Sequence, residues 1–256
     1  MTTIAIMIPA IIDQECADAL IDHMRKNIVV ANPDITFKFL VNVDDYRRKG
    51  CLGTVETICD SYSSLKQSNC TVDIVINGKP LGLTVASREL FKRFLETDFE
   101  YLVFFDDDCV IINPVYFNEF INMVNEDYTF HLAFAYDNIS VENPFITNDV
   151  YLEGQTVRIF KNSRVFCTEN GTIFTKNMVR KIINEYTTDE RKFNTSFNPE
   201  DVIGALDCYK CRPVLTVAFK NNKCVVVDLK QPWRLPKENH FIVDSIRHYR
   251  KVGWNK

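Results

Sequence analysis

Tyr101-Leu102-Val103-Phe104-Phe105-Asp106-Asp107-Asp108 is the stretch whose reading decides the architecture. Five consecutive apolar residues, mostly aromatic or β-branched, describe a strand covered on both faces, because a strand with one wet face alternates. Three carboxylates then follow at its carboxyl end, the edge of an open α/β sheet where ligands bind. Adjacent like charges repel, and a divalent cation would offset them. Asp106 and Asp108 are two apart, so on an extended backbone they point to one side and can reach one ion, while Asp107 points the other way. A plain polar turn is the competing account. Against it stands the immediate return to an apolar run, Val110-Ile111-Ile112.

Val103-Phe104-Phe105-Asp106-Asp107-Asp108 resembles the apolar strand and DxD motif of nucleotide-sugar-dependent glycosyltransferases with the GT-A fold. The resemblance implies one GT-A-like α/β domain over residues 1–256, with a mostly parallel nucleotide-binding sheet flanked by helices. Residues 1–113 would form the donor-binding half, and residues 114–256 a smaller, partly antiparallel acceptor half. It also implies hexosyl transfer from a UDP- or GDP-sugar to a hydroxyl of a glycan or glycoprotein acceptor, with inversion favoured over retention. Mn²⁺ or Mg²⁺ would be held by Asp106 and Asp108, with Asp107 on the donor side.

With 46% hydrophobic residues in 256, the chain can bury a sizeable core as one domain. A formal net charge of −4 and the lack of a long Lys/Arg run argue against a nucleic-acid partner. The amino-terminal apolar stretch lacks a basic leader and is interrupted by Pro9, and no segment approaches the roughly 18 apolar residues of a membrane span. Nine scattered cysteines are read as reduced thiols, which with the missing leader points to the cytoplasm. Cys208 and Cys211 form a C-x-x-C without a second pair at zinc-finger spacing. The sequons at Asn69, Asn138, Asn170 and Asn194 are expected to be silent.

Residues 3–10 are expected as a buried strand, 17–28 as a helix with Leu20, Ile21 and Met24 inward, and 37–43 as a parallel strand ending in Asp44 and Asp45. Pro9, Ala10 and Asp44 match the places where the resembling family holds the base and ribose, although Asp44 reads equally as a strand-to-loop residue. A helix over 54–62, a strand over 72–77 and a helix over 83–96 follow, the last with Leu83, Leu90, Phe91, Phe94 and Leu95 on one face. The loop Gly78-Lys79-Pro80-Leu81-Gly82 fits neither a Walker nor a dinucleotide fingerprint, which argues against a kinase or dehydrogenase. Lys79 or Arg88 is the cation that the resemblance would bring to the nucleotide; a solvated face is the alternative for both.

Asn113-Pro114 reads as a cap and first-turn pair for a helix carrying Phe117, Phe120, Ile121 and Val124. A strand is expected over 129–136, an aperiodic functional loop over 138–153, and a hairpin of 157–160 with 164–167. A strand over 171–174 leads to a helix capped by Thr175, and 213–219 and 224–229 read as a hairpin through Asn221-Asn222. Glu200-Asp201 opens a helix, where acids suit the macrodipole. It also resembles the element from which inverting GT-A enzymes draw a catalytic base, with Asp201 as base beside Glu200. His240, just before a closing helix, is a candidate third metal ligand by the same resemblance. Two rivals remain open: a sugar-nucleotidyltransferase, against which the residues Ala10-Ile11-Ile12-Asp13 lack a glycine-rich basic loop, and a non-catalytic carbohydrate-binding protein.

Overall fold

The computed structural model describes residues 2–47, 49–111, 114–121, 129–132, 146–152, 155–162, 172–187, 214–219 and 226–228. Strand β1 (Thr3–Ile12) is followed by α1 (Gln14–Met24), a π-helical turn (Arg25–Val29), β2 (Thr36–Arg47), α2 (Val55–Ser63) and β3 (Cys70–Asn77). Then come α3 (Leu83–Leu95), β4 (Tyr101–Phe104), β5 (Cys109–Ile111), α4 (Phe117–Ile121) and β6 (Thr129–Leu132). β7 (Ile146–Leu152), β8 (Gln155–Asn162), β9 (Thr172–Thr175), α5 (Lys176–Thr187), β10 (Val214–Phe219) and β11 (Val226–Asp228) complete the described elements. Among the described residues no helix is long and apolar enough to cross a membrane.

One nine-stranded sheet runs in the order β3-β2-β1-β4-β9-β6-β10-β8-β7, and β11 pairs with β5 in a separate ribbon. β3, β2, β1 and β4 are mutually parallel, and β9 reverses direction between β4 and β6. The parallel strands are apolar without alternation because both faces are covered. Ile4, Ile6, Ile8, Val103 and Phe105 enter one core with Leu20, Ile21 and Met24 of α1 and Ile58 and Tyr62 of α2. Ala5, Met7, Leu102 and Phe104 enter the other with Leu90, Phe91 and Phe94 of α3 and Met178, Val179 and Ile183 of α5. For α1 and α3 these residues belong to the inward faces expected from helical spacing. Asp13 caps α1 by accepting from Cys16 N at 3.1 Å, so the helix starts three residues before the apolar periodicity does. Thr175 caps α5 as expected, its Oγ1 accepting from Met178 N at 3.2 Å.

Four expectations are corrected. Pro114 does not open a helix: α4 begins at Phe117, whose N–H donates to Asn32 Oδ1 at 3.0 Å, so a side chain 85 residues away supplies the cap. Residues 114–116 instead form a tether, with Val115 N donating to Asn27 O at 2.9 Å and Val115 O accepting from Asn32 Nδ2 at 2.6 Å. The span expected as an aperiodic loop contains β7, and a register shift between Ile146 and Asn148 explains the lost period of two. β8 pairs with β7 and with β10, which fills both of its edges and removes the expected partnership with residues 164–167. β10 and β11 form no hairpin, since β10 lies between β6 and β8 while β11 crosses to β5.

Candidate active site

The strand order reverses between β1 and β4, and the crevice beyond their carboxyl ends is where an open α/β sheet takes its ligand. β4 follows β1 as far as Met7 opposite Phe104, and Phe105 N continues the ladder onto Met7 O at 3.0 Å. Pro9 has no N–H for the next rung. At the rung after that, Ile11 N donates at 2.8 Å to Asp107 Oδ2, so a side chain stands in for the departed strand. Asp107 is only 7% exposed.

Asp107 is committed to β1, while Asp106 and Asp108 remain half-buried. Asp106 and Asp108 lie in a turn, closed by Cys109 N donating to Asp106 O at 3.4 Å, and not on the extended backbone that strand alternation assumes. One carboxylate oxygen of Asp106, one of Asp108 and the Cys109 Sγ lie within 4.8 Å of one another. Donors on opposite sides of one divalent ion are separated by about 4–5 Å, so this set fits such an ion. Two carboxylates suit Mg²⁺ or Mn²⁺; the thiol adds a softer donor.

β5, which carries Cys109, is anchored from both sides. Its Ile111 carbonyl accepts from Asn27 Nδ2 at 2.5 Å and contacts His23 Nδ1 at 3.1 Å. Across the ribbon, the backbone register sets Asp228 opposite Cys109. Tyr62 of α2 is wholly buried, and among the described residues its hydroxyl has no hydrogen-bond partner. Burial pushes its pKa well above the usual phenol value, and the charges of Asp107, Cys16, Asp108 and Asp13 act in the same direction. The hydroxyl therefore stands in the negative field behind the acids.

The other expected donor-side residues are placed as follows. Pro9 and Ala10 are buried within β1, in register with Asn42 and Val43. Asp44 is 3% exposed and ringed by donors: Asn77 Nδ2 to Oδ1 at 2.5 Å, and Leu81 N and Gly82 N to Oδ2 at 3.0 and 2.8 Å. Its carboxylate thereby sits at the N-terminus of α3, where the helix dipole favours an anion. Lys79 is exposed in the loop that Asp44 holds, and Arg88 is half-buried on α3. Asp201, Glu200 and His240 lie outside the described residues, as do Cys208 and Cys211. Cys109 and the His23–Asn27 anchor were not singled out in the sequence. The only signal for Cys109 was its position directly after the acids.

The chain has a mixed α/β fold in which helices cover both faces of the parallel strands β3, β2, β1 and β4. The solved structure of S. aureus TarS 1-349, a glycosyltransferase, is similar to it with a TM-score of 0.54 at 10% sequence identity, covering 99% of this chain and 67% of that one. No protein-family model and no curated protein matches the sequence.

Proposed function

We propose that this chain is a metal-dependent glycosyltransferase that moves a sugar from a UDP- or GDP-sugar to a hydroxyl of a glycan or glycoprotein, with inversion. The observation that carries the reading is the meeting of Asp106 and Asp108 at the carboxyl end of β4, beside the reversal of strand order, in a glycosyltransferase-like fold. Mn²⁺ or Mg²⁺ held by Asp106 and Asp108 would supply positive charge to the diphosphate. The protein's own part is to bury Asp107 against β1 and to seat the donor over the ends of β1 and β2. Lys79 and Arg88 are the cations of this half that we assign to the nucleotide. In the carboxyl-terminal part, Asp201 would take the acceptor hydroxyl's proton, with Glu200 beside it. His240 would be a further ligand of the ion.

The test is a screen of nucleoside diphosphate sugars for thermal stabilisation with and without Mn²⁺, followed by transfer to glycan acceptors and assignment of the product anomer. Metal-dependent stabilisation with an inverted product is expected. Failure of every nucleoside diphosphate sugar to bind with metal would favour a non-catalytic carbohydrate-binding protein, and release of pyrophosphate from a nucleoside triphosphate and a sugar phosphate would favour a nucleotidyltransferase.

A further inference from the structure

Resting on the metal reading above, we propose that Cys109 is a ligand of the same ion, which makes this a mixed carboxylate–thiolate site selective for thiophilic divalent cations over Mg²⁺. The Cys109 side chain is fully buried, yet its Sγ belongs to the group of donors within 4.8 Å that includes the two carboxylates. Its S–H contacts Asp108 Oδ1 at 4.0 Å, and its own N–H closes the turn onto Asp106. The three donors thus belong to one four-residue unit. That unit is held rigidly, because β5 is paired to β11 on one side and its Ile111 carbonyl is gripped by Asn27 on the other. Preorganisation of this kind lets a buried sulfur stay at coordinating distance without a rearrangement of the core. Deeper in the core the wholly buried Tyr62 hydroxyl has no hydrogen-bond partner among the described residues, and the charges of Asp107 and Asp108 act on it.

Ligation replaces the S–H bond by a sulfur–metal bond and releases the proton to solvent. Thiolate ligands favour softer ions, whereas Mg²⁺ is bound through oxygen. The site would therefore rank Cd²⁺, Zn²⁺ and Co²⁺ well above Mg²⁺, a ranking that two carboxylates alone reproduce only weakly.

The experiment titrates Cd²⁺ and Mg²⁺ separately into the full chain by calorimetry and follows the ultraviolet thiolate-to-cadmium charge-transfer band. Cys109→Ser is compared with wild type, and because a core substitution can disturb folding, Asp106→Asn, which leaves all nine cysteines in place, is run beside it. We expect a band that saturates at one equivalent of Cd²⁺ and is lost in Cys109→Ser. Cd²⁺ affinity should fall by about tenfold or more, the range typical of disturbed metal sites, while Mg²⁺ affinity stays nearly unchanged. In Asp106→Asn the band should survive but saturate only at higher Cd²⁺. One-to-one Cd²⁺ binding with the same band in Cys109→Ser, or with no band in the wild type, overturns the thiolate ligand and leaves the carboxylate site standing. Cd²⁺ and Mg²⁺ binding that is unaltered in Asp106→Asn overturns the metal site itself.

Discussion

Asp107 and Ile11 are joined by a 2.8 Å hydrogen bond, carboxylate to backbone N–H, across the point where the strand order reverses. The middle acid of the triplet thereby works as a piece of the sheet, while one carboxylate oxygen of Asp106 and one of Asp108 lie within 4.8 Å of each other. Asp107→Ala leaves a partly buried N–H without its acceptor, and we expect a loss of about 1–3 kcal/mol in urea unfolding. Because the turn loosens with it, nucleotide affinity should fall as well. Unchanged stability in Asp107→Ala would remove this structural role.

Asp44 discriminates between anchoring and ligand contact in a second way. All three of its partners are donors, and an amide offers a single acceptor oxygen where the carboxylate offers two. Asp44→Asn should therefore destabilise almost as much as Asp44→Ala, by about 1–3 kcal/mol. Lys79→Ala, in the exposed part of the same loop, should stay within about 0.5 kcal/mol of wild type. Denaturant midpoints of the three variants provide the check.

Gly82 precedes α3 with φ of +78° and ψ of 159°, a region almost confined to glycine that costs a residue with a Cβ about 1–3 kcal/mol, and beyond the adjoining residues no atom lies within 4 Å of where that Cβ would sit. Gly82→Ala should lower stability by about that amount through backbone strain alone. A loss several times larger would mean that the Asp44 latch had been broken too.

Asp108→Ala should abolish metal-dependent stabilisation by a nucleoside diphosphate, which for wild type at one hundred times Kd amounts to about 2.7 kcal/mol. Excess chelator should do the same to wild type, and turnover that persists in chelator counts against the site. Asp201→Asn should instead keep donor binding and lower transfer by about 10²–10⁴-fold, the usual cost of a general base. For His240→Ala, a several-fold higher Mn²⁺ requirement is expected, and an unchanged one removes it from the ligand set.

His23 provides a pH signature in the anchor of β5. Burial lowers its pKa from the ordinary 6.5, outweighing the raising effects of the Ile111 carbonyl and Asp22, with Lys26 adding to the lowering. The unfolded chain then binds a proton more readily than the folded one. The stabilising contribution is complete above the unfolded pKa and is lost as pH falls from there through the folded value. Unfolding free energy measured from about pH 7.5 down to 5 should fall less steeply in His23→Gln than in wild type. Parallel slopes would show that His23 does not contribute.

The run from Tyr101 to Asp108 by itself determined a strand buried on both faces that ends in acids, and the spacing of Leu90, Phe91 and Phe94 determined which side of α3 meets it. These are local regularities: period and burial are written into neighbouring residues, so they survive without knowledge of the rest of the chain. Asn113-Pro114 carried an equally good local signal and failed, because Asn32, from a turn after α1, supplies the cap at Phe117 instead. The pairing of β11 with β5, the commitment of Asp44 to the start of α3, and the inclusion of Cys109 beside Asp106 and Asp108 were likewise decided only in the folded chain. Each depends on which distant donor reaches a given acceptor, or which strand edge is left open once its competitors have paired. Such long-range choices follow from the sheet's connectivity and packing, which no spacing within a single segment encodes.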